Sequence, residues 1–196
     1  EEISTLKNSI IMNIFSCRGI IPNVKLVKLK NILTSGSKVP VNTNEYKKIT
    51  IKLNCAGIDF SKIDRKMKDT RPFYVRKTGE LIIGKQNYFN GSIAIVGEHY
   101  NNSICSNAIM SFKINENVDP LFVFAAISNK QFLRARSCFA NGTGQKELSE
   151  KDFLNFEIGL PDLIIQKQML FILQSCLEKM IKEYPGNVYD MGWLNV

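Results

Sequence analysis

Two short segments of the chain concentrate side chains of the kinds that contact nucleic acids. Residues 85–90 read Lys-Gln-Asn-Tyr-Phe-Asn, and residues 141–146 read Asn-Gly-Thr-Gly-Gln-Lys. Asn and Gln can form two hydrogen bonds with adenine, and Lys binds guanine or phosphate. Glycines let backbone N–H groups approach a phosphate. The composition indicates two DNA-contacting loops, although polar turns that satisfy only their own hydrogen bonds have the same composition.

Residues required for common enzyme mechanisms are isolated or missing. The single histidine, His99, does not favour Ser–His or Cys–His catalysis. Residues 142–144 lack the third glycine of a dinucleotide fingerprint, and no Walker loop, nucleophile elbow or Asn-Pro-Pro-Tyr motif occurs. A metal-dependent nuclease stays an alternative, with Glu45 from the triplet Glu-Tyr-Lys and Asp59 or Asp64 as the metal-binding carboxylates. Such triplets are common by chance and the order is reversed here, so we expect no catalytic residue and no metal site.

The cysteines and the hydropathy pattern bear on the compartment. The 5 cysteines are scattered and form no Cys-x-x-Cys pair, which is typical of reduced thiols. No apolar run reaches the roughly 18 residues of a membrane span, and no signal peptide opens the chain. We therefore expect a cytoplasmic protein with no membrane partner.

The positive charge is concentrated in one part of the chain. The net charge is +8, yet residues 25–85 alone hold 15 basic and 5 acidic side chains. The flanking residues are neutral or slightly acidic in sum. A phosphate-binding face would need such a concentration, although a lysine-rich solvated surface would produce it as well.

Two helices with apolar stripes frame the chain. Residues 1–16 and 163–183 carry apolar side chains at spacings of three and four. The stripe of the first helix is narrow, nearer to a coiled-coil seam than to a globular core face, and Leu173, Leu177 and Ile181 widen that of the second. We predict that these stripes pair with each other or dock partner helices. Their residues are Ile3, Leu6, Ile10 and Ile14 in the first helix and Ile165, Met169, Ile172, Cys176 and Met180 in the second.

Between the helices, the pattern predicts mostly strands. Residues 79–96 form two apolar runs around a polar and aromatic connection, which indicates a β-hairpin with a long tip. A helix is predicted over 120–136, with Asp119 as N-cap and Pro120 at its first position. Further predicted elements are a strand or helical turn at 23–32, strands at 46–53 and 104–114, and a loop, turn and strand at 138–162.

These elements predict an α+β fold. It combines a mixed or antiparallel sheet with a short N-terminal helix and a long C-terminal coiled-coil-type helix. We divide the chain into an N-terminal spacer helix (1–18), a recognition domain (19–162), a long helix (163–184) and a tail (185–196).

Five short motifs, in this order, resemble the target-recognition domains of type I restriction–modification specificity subunits. The first two are Leu-Lys-Asn-Ser-Ile at 6–10 and the basic strand at 24–32. The hairpin at 79–96 follows. The last two are Gly-Thr-Gly-Gln-Lys-Glu-Leu-Ser at 142–149 and Leu-Pro-Asp-Leu-Ile-Ile-Gln-Lys-Gln-Met-Leu at 160–170. Two features depart from the family: Asn23-Val24 stands where Trp often begins the basic strand, and only one recognition domain is present.

The resemblance implies a non-catalytic protein that binds one half of a split double-stranded DNA target. Partner modification subunits would methylate adenine with S-adenosylmethionine, and a restriction subunit would cleave with ATP and Mg²⁺. The chain itself would hold no cofactor. A homodimer or a second recognition domain would supply the other half-site. The alternatives are a helical docking protein without DNA contact, a small nuclease and a single-strand RNA binder.

The residues expected to bind DNA fall into two groups. Cations should position the phosphate backbone, while the amides and hydroxyls of the two loops should contact base edges. The predicted set is Lys38, Lys47, Lys48, Lys66, Arg71, Lys85, Gln86, Asn87, Tyr88, Asn90, Thr143, Gln145 and Lys146.

Overall fold

The computed structural model describes residues 24–61, 71–137 and 147–183. The strands are β1 (Lys25–Lys28), β2 (Leu33–Ser35), β3 (Ile49–Ile51), β4 (Ile58–Phe60), β5 (Phe73–Arg76), β6 (Leu81–Gly84), β7 (Ile93–Ile95), β8 (Ser103–Ser106), β9 (Ile109–Ile114) and β10 (Glu157–Leu160). The α-helices are α1 (Pro120–Ser128), α2 (Lys130–Arg136), α3 (Glu150–Leu154) and α4 (Leu163–Glu183). Short 3₁₀ turns lie at Leu29–Asn31, Thr43–Glu45, Tyr88–Asn90 and Glu98–Tyr100.

A four-stranded antiparallel sheet in the order β2-β9-β6-β7 forms the centre of the fold. Its strand β6 buries Leu81, Ile82 and Ile83 completely. Because successive side chains of a strand point to opposite faces, an unbroken apolar run requires cover on both sides. Helices cover one face and smaller β-ribbons cover the other.

The helical face of the sheet contains the larger apolar core. Leu81 and Ile83 of β6 pack there beside Met110 and Phe112 of β9, against residues of α1, α3 and α4. The opposite face packs Ile82 and other apolar side chains against β3, β4 and β8. The predicted α+β fold with an antiparallel sheet is therefore confirmed.

Three two-stranded ribbons complete the described β-structure. They are β1-β10, β3-β4 and β5-β8, and all are antiparallel. Pro40 bridges to Tyr74, and Lys48 bridges to Ile104, so β3 and the residues after β2 lie beside the β5-β8 ribbon. The predicted strand at 104–114 is two strands, because a turn at Asn107–Ala108 separates β8 from β9.

The helix predicted over 120–136 is interrupted at Asn129. Asp119 caps α1 by accepting hydrogen bonds from the backbone N–H groups of Leu121 and Phe122, as predicted. Asn129 has extended backbone angles and caps α2 through Phe132 N, while its amide donates to Ala126 O. Asn favours such caps because its side chain competes with helical backbone bonds. The apolar spacing alone did not show this interruption.

One buried amide fixes α4 to the body. Gln166 is 1% exposed; its Oε1 accepts a hydrogen bond from Asp119 N at 2.9 Å, and its Nε2 donates to Pro161 O at 2.8 Å. Met169 and Leu173, on the same side of the helix, are also buried. The predicted helix at 163–183 is confirmed as α4, and its first turns are part of the domain.

Two predicted elements, the helix at 1–16 and the tail at 185–196, lie outside the described residues. Of the helices in the described ranges, none combines the length and apolarity that crossing a membrane requires.

Candidate nucleic-acid interface

Three connections meet at one end of the central sheet. They are the segment after β2, which begins at Gly36, the hairpin tip after β6, and the Asn107–Ala108 turn before β9. Gly36 N donates to Ser111 O at 2.8 Å, and Lys85 N donates to Ala108 O at 3.0 Å. A Cβ on Gly36 would lie 2.6 Å from Ser111 Oγ, so glycine is needed for this close approach. We name this region the sheet end.

The segment that follows the predicted glycine loop also reaches the sheet end. Leu148 N donates to Lys85 O at 3.0 Å, and Lys85 Nζ lies 3.8 Å from Glu147 Oε1. Residues 138–146 lie outside the described ranges, so predicted contacts of Thr143, Gln145 and Lys146 are not described. The structure nevertheless brings the residue after this loop to the start of the hairpin tip.

Lys38 at the sheet end has an acidic partner. Its Nζ lies 2.9 Å from Glu150 Oε2 and 3.0 Å from Oε1, and Ser35 Oγ donates to the same carboxylate. Partial burial raises the pKa of Glu150, but the hydrogen bonds from Ser35 and Lys38 and the charges of Lys38 and Lys85 outweigh it, so that pKa lies below its ordinary value. Glu150 is therefore charged at neutral pH and offsets part of the local positive charge.

The hairpin tip presents amides to solvent. Gln86, Asn87 and Asn90 are all exposed, and Asn90 Nδ2 donates to Asn87 Oδ1 at 3.4 Å. The backbone beneath them is firmly held, since Asn87 O accepts from both Asn90 N and Ser92 N at 3.0 Å. Exposed amides on a fixed backbone are suited to contacting base edges.

A second hairpin supports this tip from the side. The turn that joins β3 to β4 has positive φ at Asn54 and Cys55, 58° and 57°, and Ala56 N donates to Leu53 O at 3.2 Å. Asn54 N and Cys55 N donate to Asn90 O and Gly91 O, each at 2.8 Å. These two bonds fix the end of the tip.

Tyr88 does not belong to the DNA-contacting surface, and the prediction for it is wrong. The side chain is fully buried, and its hydroxyl donates to Ile127 O at 3.2 Å. Its ring makes edge contacts with Phe89 and Phe153. Burial raises the pKa of Tyr88 well above its ordinary value, although the charge of Arg136 opposes the rise. The ring anchors the tip in the core instead.

Lys47 and Lys48 directly precede β3 in the ribbon layer. Lys47 Nζ is 5.2 Å from the centre of the Phe60 ring, and Lys48 Nζ is 4.8 Å from that of Phe73. Lys52 pairs with Asp59 at 3.6 Å. These contacts leave open whether the basic stretch 25–85 binds phosphate or forms a solvated surface.

The two remaining predicted cations give less information. Lys66 lies outside the described residues. Arg71 is exposed and has an interaction partner.

The predicted stripe of α4 is divided between the domain and solvent. Met169 is buried in the central core, so its assignment to partner docking is wrong, and Ile165 also packs against that core. Ile172 is exposed, and Cys176 is half-buried. The exposed apolar face also includes Ile164 and Phe171, each 72% exposed. The side chain of Met180 and all of Ile3, Leu6, Ile10 and Ile14 lie outside the description.

Two buried polar residues were not predicted from the sequence. Arg76 ends β5 with 2% exposure, and Gln166 ties α4 to α1. Arg76 has no distinctive sequence signal, but Gln166 occupies a fixed place in the motif at 160–170. Among the described ranges, no group of three or more His, Cys, Asp or Glu side chains is arranged to hold a metal ion.

The fold is similar to those of known proteins. Three solved structures share the fold. The HsdS subunit from Thermoanaerobacter tengcongensis has a TM-score of 0.56 and 14% identity, over 96% of this chain and 47% of that one. The type I restriction–modification system S subunit from M. genitalium has a TM-score of 0.56 and 13% identity, over 92% and 49% of the chains. A chain from a structural study of complex assembly and conformational transition in the type I R-M system has a TM-score of 0.59 and 15% identity, over 91% and 45%.

This chain therefore spans about half the length of the solved chains that it matches. No curated protein matches it in sequence. The model of the type I restriction modification DNA specificity domain matches residues 22–184, which include the whole described structure. The chain belongs to the family of type I restriction modification DNA specificity domains.

Proposed function

We propose that this chain recognises a short sequence in double-stranded DNA as the specificity component of a restriction–modification complex. The observation that carries the proposal is the family match over residues 22–184. In this proposal the chain has no catalytic activity of its own, which agrees with its membership of a DNA specificity family.

The sheet end and the hairpin tip supply the DNA-contacting groups. Gln86, Asn87 and Asn90 contact base edges, while Lys38 and Lys85 bind phosphates. Exposure of the three amides supports the first role. Thr143, Gln145 and Lys146 act beside them, since the residue after their loop reaches Lys85. Lys47, Lys48, Lys66 and Arg71 bind further phosphates.

The partners carry the chemistry. Modification subunits methylate adenine with S-adenosylmethionine, and a restriction subunit cleaves with ATP and Mg²⁺, all in the cytoplasm. The exposed face of α4, with Ile164, Phe171 and Ile172, docks a modification subunit. The solved subunits are about twice as long as this chain, so a homodimer or a second recognition domain supplies the other half-site.

Adenine methylation in a host that lacks it tests the proposal. The chain is co-expressed with the methyltransferase subunit of its own system, and methylated adenines are mapped by sequencing. We expect one short or gapped motif, present only when this chain is present. Asn87→Ala should relax the preference at one base position by about 1–3 kcal/mol.

A matched variant tests the assignment of the tip. Asn101 is exposed in the turn before β8, and its carboxamide oxygen accepts from the backbone N–H groups of Thr78 and Asn102. Asn101→Ala should leave the motif unchanged. An assembled complex that methylates no motif would contradict the proposal and favour a docking protein without DNA contact.

A further inference from the structure

A recess of about 280 Å³ opens at the sheet end. It is lined by backbone and side chains of Ser37, Lys38, Tyr74, Arg76, Lys85 and Glu150, with neighbouring residues of β9. Three of these side chains are cationic and one is anionic. We propose that this recess holds one phosphodiester group of the bound duplex between Arg76 and Lys38. In the absence of DNA, the Glu150 carboxylate pairs with Lys38 instead. The proposal rests on the proposed function and adds a site to it.

Arg76 is a buried cation that lacks a close counter-charge. Its Nε donates to Cys105 Sγ at 3.0 Å, and its Nη1 donates to Ser37 O at 3.1 Å and Val75 O at 3.3 Å. Within the described part of the chain, no carboxylate lies within the 4.0 Å of an ion pair. A charge buried without a pair is costly, so it is retained most readily where a ligand provides the opposite charge.

The thiol beside Arg76 does not supply that charge. Burial raises the pKa of Cys105 above its ordinary value, although the charge and hydrogen bond of Arg76 oppose the rise. Glu80, a buried acid that also acts on Cys105, accepts a hydrogen bond from Ser111 Oγ at 2.7 Å. Glu80 and Arg76 both act on Cys105 electrostatically but form no ion pair with each other.

The unused donors of Arg76 match a phosphate. A guanidinium has five N–H donors in a planar fork, and Nε and Nη1 account for the three hydrogen bonds above. Nη2 takes part in none of the Arg76 hydrogen bonds among the described residues. Since no fully buried side-chain nitrogen of these residues lacks a partner, Nη2 is open to solvent, and Arg76 lines the recess. Phosphate oxygens accept such bonds with favourable geometry.

Lys38 and Glu150 form the outer part of the recess. The Lys38 side chain is 63% exposed, against 29% for Glu150, so the ammonium group can exchange its partner without disrupting the core. A phosphodiester would compete with Glu150 for it, and the nearby carboxylate would repel the phosphate. Glu150 thereby lowers affinity for every DNA sequence alike, because the phosphate backbone carries no sequence information.

Replacement of Glu150 distinguishes competition with phosphate from an ion pair that only stabilises the fold. The full chain, with its methyltransferase subunit, is titrated with a duplex that contains the methylated motif and with an unrelated duplex. We expect Glu150→Gln to bind both duplexes several-fold more tightly, with a steeper dependence on salt, since each neutralised phosphate adds about 0.9 to the slope. Glu178→Gln, which removes an exposed carboxylate on α4, is the matched control for overall charge.

Lys38→Gln should weaken binding to both duplexes by about tenfold, in the range of a hydrogen bond to a charged group. Its effect should be larger when Glu150→Gln is already present, because Lys38 is then free of its internal partner. Arg76→Lys keeps the charge but loses the fork, and should also weaken binding. If Arg76→Lys does not fold, as judged by thermal unfolding, the Lys38 and Glu150 variants still decide the question.

Uncharged backbone linkages in the DNA identify the phosphate that the recess binds. Single methylphosphonates are placed in turn along the motif duplex. We expect that a methylphosphonate at one position weakens DNA binding by the wild-type protein but has little further effect on binding by Lys38→Gln. The phosphate charge removed from the DNA and the cation removed from the protein would then belong to the same contact. Equal sensitivity of both proteins at every position would overturn the proposal. So would a Glu150→Gln protein that binds no more tightly than Glu178→Gln while the wild-type complex still methylates its motif. Absence of any methylated motif would instead count against the proposed function.

Discussion

Replacement of Gln166 by leucine should destabilise the domain strongly, although the two side chains have similar volumes. Gln166 is 1% exposed, accepts from Asp119 N and donates to Pro161 O. Leucine can do neither, so one backbone N–H and one backbone carbonyl would lose their partners. Each such buried group costs about 1–3 kcal/mol. The greater hydrophobicity of leucine offsets about 1 kcal/mol, so the free energy of unfolding should fall by about 1–5 kcal/mol.

Urea unfolding measured by circular dichroism is a suitable assay. With a slope of about 2 kcal/mol per molar urea, the midpoint should fall by about 0.5–2.5 M. The control is Gln168→Leu, two residues along α4 on its exposed side. Its effect should stay within about 0.5 kcal/mol, as is usual for surface changes.

The comparison of the two leucine variants gives a clear refutation. If Gln166→Leu and Gln168→Leu unfold at the same urea concentration, the buried amide does not hold α4 to the body. A change in the slope without a change in midpoint would point to a less compact native state instead.

The other predictions concern the core, the sheet end and the docking face. Gly91→Ala should cost more than about 1 kcal/mol in urea unfolding, because φ is +75° and the new Cβ would lie 2.9 Å from backbone atoms of the β3-β4 turn; Gly97→Ala, with open space, should be neutral. Tyr88→Phe should lower stability by about 1 kcal/mol without changing the methylated motif, since the hydroxyl bonds only within the core. The depressed pKa of Glu150 stabilises the fold above the ordinary value of 4.5 and loses that contribution as pH falls through the folded-state pKa, so Glu150→Gln should show a shallower loss of stability below about pH 4.5. Phe171→Ser should leave stability within about 0.5 kcal/mol but weaken binding of the modification subunit by at least tenfold in titration calorimetry, as loss of an apolar anchor does.

The central hairpin could be predicted because local pattern and tertiary role agree there. An unbroken Leu-Ile-Ile run between Gly79 and Gly84 fits only a strand buried on both faces once its short length is considered. The same holds for Asp119-Pro120, whose capping chemistry depends on the nearest residues alone. The interruption at Asn129 was not predicted, since asparagine also occurs within exposed helix surfaces.

The site was harder to predict than the fold, because burial depends on distant segments. Tyr88 stands in a polar hexapeptide, yet α1 and α3 supply the carbonyl and rings that enclose it. Met169 fits a coiled-coil spacing, but spacing defines a face and not the partner that covers it. Arg76 resembles an ordinary strand end in sequence, and only the loop after β2 and the strand β8 reveal its enclosure.

The anchoring of α4 by Gln166 has a mechanical consequence for the proposed function. From Gln166 to Glu183 the helix extends about 25 Å at 1.5 Å per residue. A tilt of 10° at the anchor would displace the far end by about 4 Å, which exceeds the rise of one base pair in DNA. If the chain acts as proposed, the stiffness of this anchor, made of two hydrogen bonds and the buried Met169 and Leu173, would set the tolerance with which the spacing between two half-sites is held.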